Sequence, residues 1–218
     1  MKHALLLFFL TTLLFGCAGG QKRAPIPPEE LYRQAQEAVE DYDFKQAQDL
    51  LDRIRDEYPF SKYAAEAELL GADMAFRDNR FEEAAASYRS FEELHPTHPK
   101  VPYAIYRRGM AYLEISHPAD RDQTASRNAA EAFQKLLNAY PNSEYAAEAR
   151  EHLTEMRSRL AAHELYVARY YVRKKKYSAA LSRLHELVKT YPDAPERDEA
   201  LSLALEVQDL KRKADADK

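Results

Sequence analysis

The stretch Phe81-Glu-Glu-Ala-Ala-Ala-Ser-Tyr-Arg-Ser-Phe-Glu-Glu-Leu-His-Pro96 decides the fold, because its spacing returns three more times along the chain. An alanine stands twelve residues ahead of a proline at Ala84 and Pro96, and likewise at Ala47 and Pro59, Ala129 and Pro141, and Ala180 and Pro192. Tyr58, His95, Tyr140 and Tyr191 sit immediately before those prolines. Four residues after each alanine come Leu51, Tyr88, Phe133 and Leu184, and seven after it Ile54, Phe91, Leu136 and Leu187. Apolar residues at i, i+4 and i+7 form one face of a helix.

Twelve residues before three of these alanines stand Ala35, Ala72 and Ala168, small residues where a preceding helix must approach closely. Phe44, Phe81 and Tyr177 lie three residues before the alanine, just after short polar breaks such as Asp78-Asn79-Arg80. Each unit therefore reads as a helix, a tight turn, a second helix and a proline stop. That is the tetratricopeptide (TPR) pattern. With few glycines, abundant Ala, Glu, Arg, Lys and Leu and scarce β-branched runs, the sequence predicts an all-α protein, a right-handed α-solenoid of about four to five TPR-like helix hairpins.

Working outward, the N-terminus carries Lys2 and His3, then an apolar run from Ala4 to Phe15, then Gly16-Cys17. The run is short of the roughly 20 residues of a spanning helix and has the length of a signal-peptide core. Cys17 is the single cysteine, which excludes an intrachain disulfide and a cysteine-rich metal site. A small residue before a cysteine at this place resembles the bacterial lipobox, which implies residues 1–16 as a cleaved signal peptide and a diacylglycerol and an N-acyl chain on Cys17. Residues 17–28 form a Gly-then-Pro tether with nothing to pack, 29–212 the solenoid, and 213–218 a charged tail.

The second unit, Tyr63 to Pro96, is the most regular. Ser61 and Ser143, each two residues past a proline, are the expected N-caps of the helices that follow. The third unit departs from the period. Gly109 to Ala129 spans twenty residues where the other units have twelve, so eight extra residues, within Ile115 to Gln123, must loop out. The fourth anchor falls 51 residues after the third, which predicts an additional helix over about Glu144 to Arg159 ahead of one over Ala162 to Lys174. A last helix, about Glu196 to Lys211, caps the stack.

The combination of lipobox, tether and repeats carrying Tyr58-Pro-Phe60, His95-Pro-Thr-His-Pro99, Asp120-Arg-Asp122, Tyr140-Pro-Asn-Ser-Glu-Tyr145, Tyr170-Tyr171 and Tyr191-Pro-Asp193 resembles the BamD (ComL-type) lipoprotein family of the β-barrel assembly machinery. The resemblance implies a scaffold lipid-anchored on the periplasmic face of the outer membrane. It implies as partners the POTRA domains of a BamA-type barrel protein, unfolded outer-membrane proteins and other Bam lipoproteins. It also implies that Arg183, on the second helix of the fourth hairpin, contacts BamA. The alternative is a TPR adaptor lipoprotein of a Tol-associated or peptidoglycan and division complex, which usually brings a coiled coil not seen here.

A TPR superhelix binds ligands in the groove lined by its first helices. Registering the units on Ala35, Ala72 and Gly109 places Tyr32, Leu69, Asp73, Phe76, Tyr103, Tyr106 and Met110 on the groove side, suited to an extended, aromatic-ended peptide. The competing reading has these rings filling the interior between units. Catalytic and metal sites are not expected. His95 and His98 each precede a proline with no third ligand nearby, and there is no phosphate loop, nucleophile elbow or His-Glu-x-x-His. No cofactor is called for, and a net charge of −4 gives no footprint for nucleic acid. The dense basic run Arg173 to Lys176 reads first as a solvated turn, beside which stand contacts with an acidic POTRA patch or with anionic headgroups.

Overall fold

The structure, a computed structural model, describes residues 25–216. Among these residues there are nine α-helices and no strand. In chain order they are α1 (Pro28–Glu40), α2 (Phe44–Glu57), α3 (Lys62–Arg77), α4 (Phe81–Leu94), α5 (Val101–Glu114), α6 (Thr124–Ala139), α7 (Ala146–Arg173), α8 (Tyr177–Thr190) and α9 (Glu196–Ala216). Helices α1 to α8 form four successive antiparallel hairpins and α9 packs on α8, so the chain is an all-α solenoid.

The repeat spacing has a backbone cause on each edge of the solenoid. Within three hairpins the turn is a Schellman closure: the amides of Asp43, Arg80 and Lys176 each donate to the carbonyl five residues back, of Ala38, Ala75 and Tyr171, at 2.9 Å. The residue before each amide, Tyr42, Asn79 and Lys175, is forced to φ of 60°, 58° and 56°. Between hairpins, Tyr58, His95, Tyr140 and Tyr191 close the last helical turn through their own amides. Their carbonyls then accept from the amide three residues on, of Ser61, His98, Ser143 and Ala194. The proline that follows each aromatic cannot continue the helix, and the chain reverses there.

The periodic positions are the core. Ala35, Ala72, Ala168, Ala47, Ala84, Ala129 and Ala180 have no exposed surface, and the i+4 and i+7 residues are buried with them. At Gly109 a methyl group would sit 2.5 Å from Cε1 of Phe133, which explains why the third unit has glycine where the others have alanine. A buried ion pair adds a polar tie: Arg108 Nε lies 2.6 Å from Glu92 Oε1, and Lys135 Nζ lies 2.7 Å from Glu92 Oε2, linking α4, α5 and α6.

The 115–123 segment loops out as expected and is held in place. The Gln123 amide donates to the carbonyls of Pro118 at 2.8 Å and Arg121 at 3.1 Å. From α7, the His163 Nδ1–H donates to Ala119 O at 2.6 Å, and Arg159 donates to the Ser116 hydroxyl.

Four expectations are corrected. The helices foreseen over Glu144 to Arg159 and Ala162 to Lys174 are one continuous helix, α7, because no Gly or Pro interrupts 146–173 and Ala161-Ala162 at the junction are strong helix formers. Its first half packs on the third hairpin through Ala149 and Met156, its second on the fourth through Leu165 and Ala168. The serines do not cap with their hydroxyls. Ser61 is at the N-cap of α3 without a side-chain cap bond, and Ser143 lies ahead of the α7 N-cap, Tyr145. Both serve through their carbonyls, which accept from Ala64 and Ala146, because the preceding aromatic–proline turn fixes their backbone. The last helix runs past Lys211 to Ala216, into the segment read as a charged tail. Finally, the end of the tether does pack: Ile26 lies on the first-hairpin core and its carbonyl accepts from the Tyr58 hydroxyl at 2.9 Å.

Candidate functional site

On the first-helix side, residues of α1, α3 and α5 line a cavity of about 560 Å³. Tyr32, Leu69, Asp73 and Tyr103 line it, together with Gln36, Glu66, Lys100, Tyr145 and others. A second recess over Asp73 and Tyr103 continues it toward Arg77 and Arg107. Four of the seven expected groove residues thus share one cavity.

The other three stand elsewhere. Phe76 packs edge-on against Phe81 at 5.1 Å, and the Arg107 guanidinium covers it at 3.8 Å from the ring centre. Tyr106 is buried, stacks on Tyr145 at 5.1 Å and donates to Glu148 at 2.5 Å. Met110 packs on the core of the second and third hairpins. For Tyr106 the physical reason is the start of α7, where Tyr145 and Glu148 cover and bond it, and for Phe76 it is the packing of Phe81 and Arg107 on its ring.

Asp73 is the hub of the groove floor. Its Oδ1 accepts from the Tyr88 hydroxyl at 2.5 Å and the Tyr103 hydroxyl at 2.7 Å, and the Arg107 Nε–H donates to the Tyr88 oxygen at 3.3 Å. Loss of hydration pushes the Tyr32 hydroxyl up to about 12, with Glu66 and Asp73 adding to it. The same desolvation, reinforced by the Asp73 charge, raises Tyr88 and Tyr103 well above the usual phenol value. Tyr106 is pushed up to about 12 by burial and by its bond to Glu148. These phenols are therefore neutral donors at any physiological pH, and the groove offers aromatic faces above a polar, acid-centred floor.

Reading small-residue register alone missed Tyr88, Arg107 and Tyr145. Tyr88 is a core position that the periodicity marked only as buried, yet its hydroxyl reaches the floor. Tyr145 comes from the turn before α7, which no first-helix register includes.

Arg183 lies on α8, about half exposed, with Nη1 3.1 Å from Glu164 Oε2 on α7. Cys17 and the signal segment lie outside the described residues. His95 and His98 are both engaged locally: their rings pack on Phe91 and lie 2.8 and 3.8 Å from Glu68 and Glu66. Among the described residues no three His, Cys, Asp or Glu side chains converge in a metal-binding group, and no helix is long and apolar enough to cross a membrane.

The family described as YfiO, outer membrane lipoprotein, matches residues 25–218. The chain belongs to this family, BamD. A Vibrio cholerae relative named outer membrane protein assembly factor BamD is 32% identical over 206 residues, covering 89% of this chain and 86% of its own. The BamD of Neisseria gonorrhoeae is 30% identical over 220 residues, 93% of this chain and 82% of that one. A solved tetratricopeptide repeat protein from Parabacteroides merdae overlays 87% of the chain and 77% of its own with a TM-score of 0.44 at 15% identity. The residues matched to the family, 25–218, include those lining the cavity, the third hairpin and Arg183.

Proposed function

We propose that the protein is a lipid-anchored scaffold of outer-membrane protein assembly, without chemistry of its own. The observation that carries this reading is the family match across the whole solenoid, with relatives that bear the name of outer membrane protein assembly factor. On it, Cys17 carries the lipid that holds the solenoid on the periplasmic face of the outer membrane. The C-terminal hairpin meets a POTRA domain of a BamA-type barrel protein through Arg183. The groove around Asp73 receives an extended, aromatic-ended segment of an unfolded outer-membrane protein.

The geometry supports these roles. Arg183 is exposed enough to exchange Glu164 for a partner carboxylate, and Arg is suited to bidentate pairing. Tyr32, Tyr103 and Tyr145 line the cavity, and the Tyr103 hydroxyl is already fixed on Asp73, so an entering peptide meets an aromatic wall that is in part preorganised.

The test is purification of the tagged full chain from envelopes in detergent. Recovery of a BamA-type barrel protein in near-equal amount, reduced for Arg183→Ala, is the expected result. Recovery of Tol or peptidoglycan-linked proteins without that barrel would overturn the assigned machine. For the anchor, Cys17→Ser is expected to abolish lipid labelling and leave precursor; normal labelling would refute the lipobox.

A further inference from the structure

At the C-terminal corner of the solenoid the α7–α8 turn faces the end of α9 across a crevice of about 730 Å³. Lys175, Lys176 and Ser178 form one wall, and Lys211 and Lys213 the other. Asp215 lines its outer end and has an interaction of its own. Several cations elsewhere are tied to carboxylates brought close by the fold, as in Arg157–Asp193, Arg169–Glu199 and Lys100–Glu66; here several gather on two facing walls without one. Among the described residues none of Lys175, Lys176, Lys211 and Lys213 has a carboxylate within ion-pair distance, and neither does Arg173 beside them. In a chain with a net charge of −4, this concentration of unneutralised cations is a property of the place rather than of the composition.

We propose that this crevice is an anion site that takes phosphate groups, supplied at a membrane surface by anionic lipid headgroups. Two facing walls of lysine suit a compact ligand with several acceptor oxygens, because each ammonium is a strongly hydrated point charge on a flexible stem. The crevice belongs to the last hairpin, whereas the tether enters at the first. A headgroup held here gives the molecule a second hold on the bilayer and lays the solenoid along it, in the way one lipid signal is commonly backed by a basic patch. The lipid source rests on the anchoring proposed above; the anion chemistry does not.

The experiment is lysine acetylation of the full chain in non-ionic detergent, with each site's rate read by mass spectrometry. Exposed Lys45 and Lys189 serve as references. Adding phosphatidylglycerol to the micelles, but not phosphatidylcholine, is expected to slow labelling of Lys175, Lys176, Lys211 and Lys213 by about five-fold, an effect that salt reverses. In Lys176→Gln/Lys211→Gln the protection of Lys175 and Lys213 is expected to disappear. Protection by inorganic phosphate alone also supports the site and makes free phosphate its source. Equal slowing at the reference lysines, or protection by polyglutamate with none by either phosphate probe, would overturn it.

Discussion

Single positions in this solenoid are decided by how close the helices come. Gly109 is the sharpest case, because Phe133 is fully buried and its ring cannot swing away from an added methyl group. Helix propensity favours Ala over Gly by about 1 kcal/mol, but overpacking typically costs about 1–3 kcal/mol. Gly109→Ala is expected to be net destabilising by about 1 kcal/mol in urea unfolding, whereas a gain in stability would mean that α5 and α6 can move apart freely. The buried Glu92–Arg108 pair makes a larger prediction. Arg108→Ala leaves the Glu92 carboxylate in the core with only the half-exposed Lys135, and breaking such pairs costs about 3–5 kcal/mol. Arg183 belongs to the opposite class. Its pair with Glu164 is exposed, so Arg183→Ala is expected to change unfolding stability by less than about 1 kcal/mol, and a loss of partner binding in that variant reads as contact rather than misfolding.

At the scale of elements, α7 sets the character of the molecule. It closes the third hairpin with one half and opens the fourth with the other, so the two core clusters share a single rod. Ala162→Pro, at a partly exposed position near the middle of the rod, removes a backbone donor and clashes with the preceding turn, at a cost of about 3 kcal/mol or more. Native-state hydrogen exchange is expected to show the fourth hairpin and α9 opening apart from the third hairpin in this variant, whereas the unmodified chain opens them together. The same helix shows where the sequence was legible. Elements built from the repeated positions, Ala47 to Pro59 and its three counterparts, could be read because one geometry imposes one spacing. The junction in α7 was not read from spacing, since 51 residues between anchors fit two helices with a break or one without; the absence of Gly and Pro from 146–173 is the signal that favours one. The hydroxyls of Ser61 and Ser143 failed as caps for a related reason: the aromatic–proline turn ahead of them already dictates the backbone.

Over the whole molecule, the first-helix side links hairpins one to three through a set of phenols held neutral. That Tyr32, Leu69, Asp73 and Tyr103 share one cavity was readable because they stand near registered small residues on one face. Tyr88 and Arg107 were not, since their role depends on hydroxyl and guanidinium groups reaching across from another helix. This arrangement carries a pH signature. A group whose folded pKa lies above its unfolded value contributes stability that is complete below the unfolded value and is lost as pH rises through the folded one. For tyrosine the unfolded value is about 10, and Tyr32 and Tyr106 are held at about 12 by loss of hydration and by Glu66, Asp73 and Glu148. Tyr88 and Tyr103 are raised further by the same causes. Thermal stability is therefore expected to be flat in the neutral range and to fall steeply once pH exceeds about 10. Tyrosinate absorbance of the groove phenols should appear together with unfolding. Tyr103→Phe removes one of these phenols and one donor to Asp73, so its stability loss at neutral pH should shrink relative to the unmodified protein as pH climbs. An alkaline midpoint and tyrosinate curve identical to those of the unmodified chain would show that the Asp73 floor is open to water and not the dry, preorganised wall that the geometry describes.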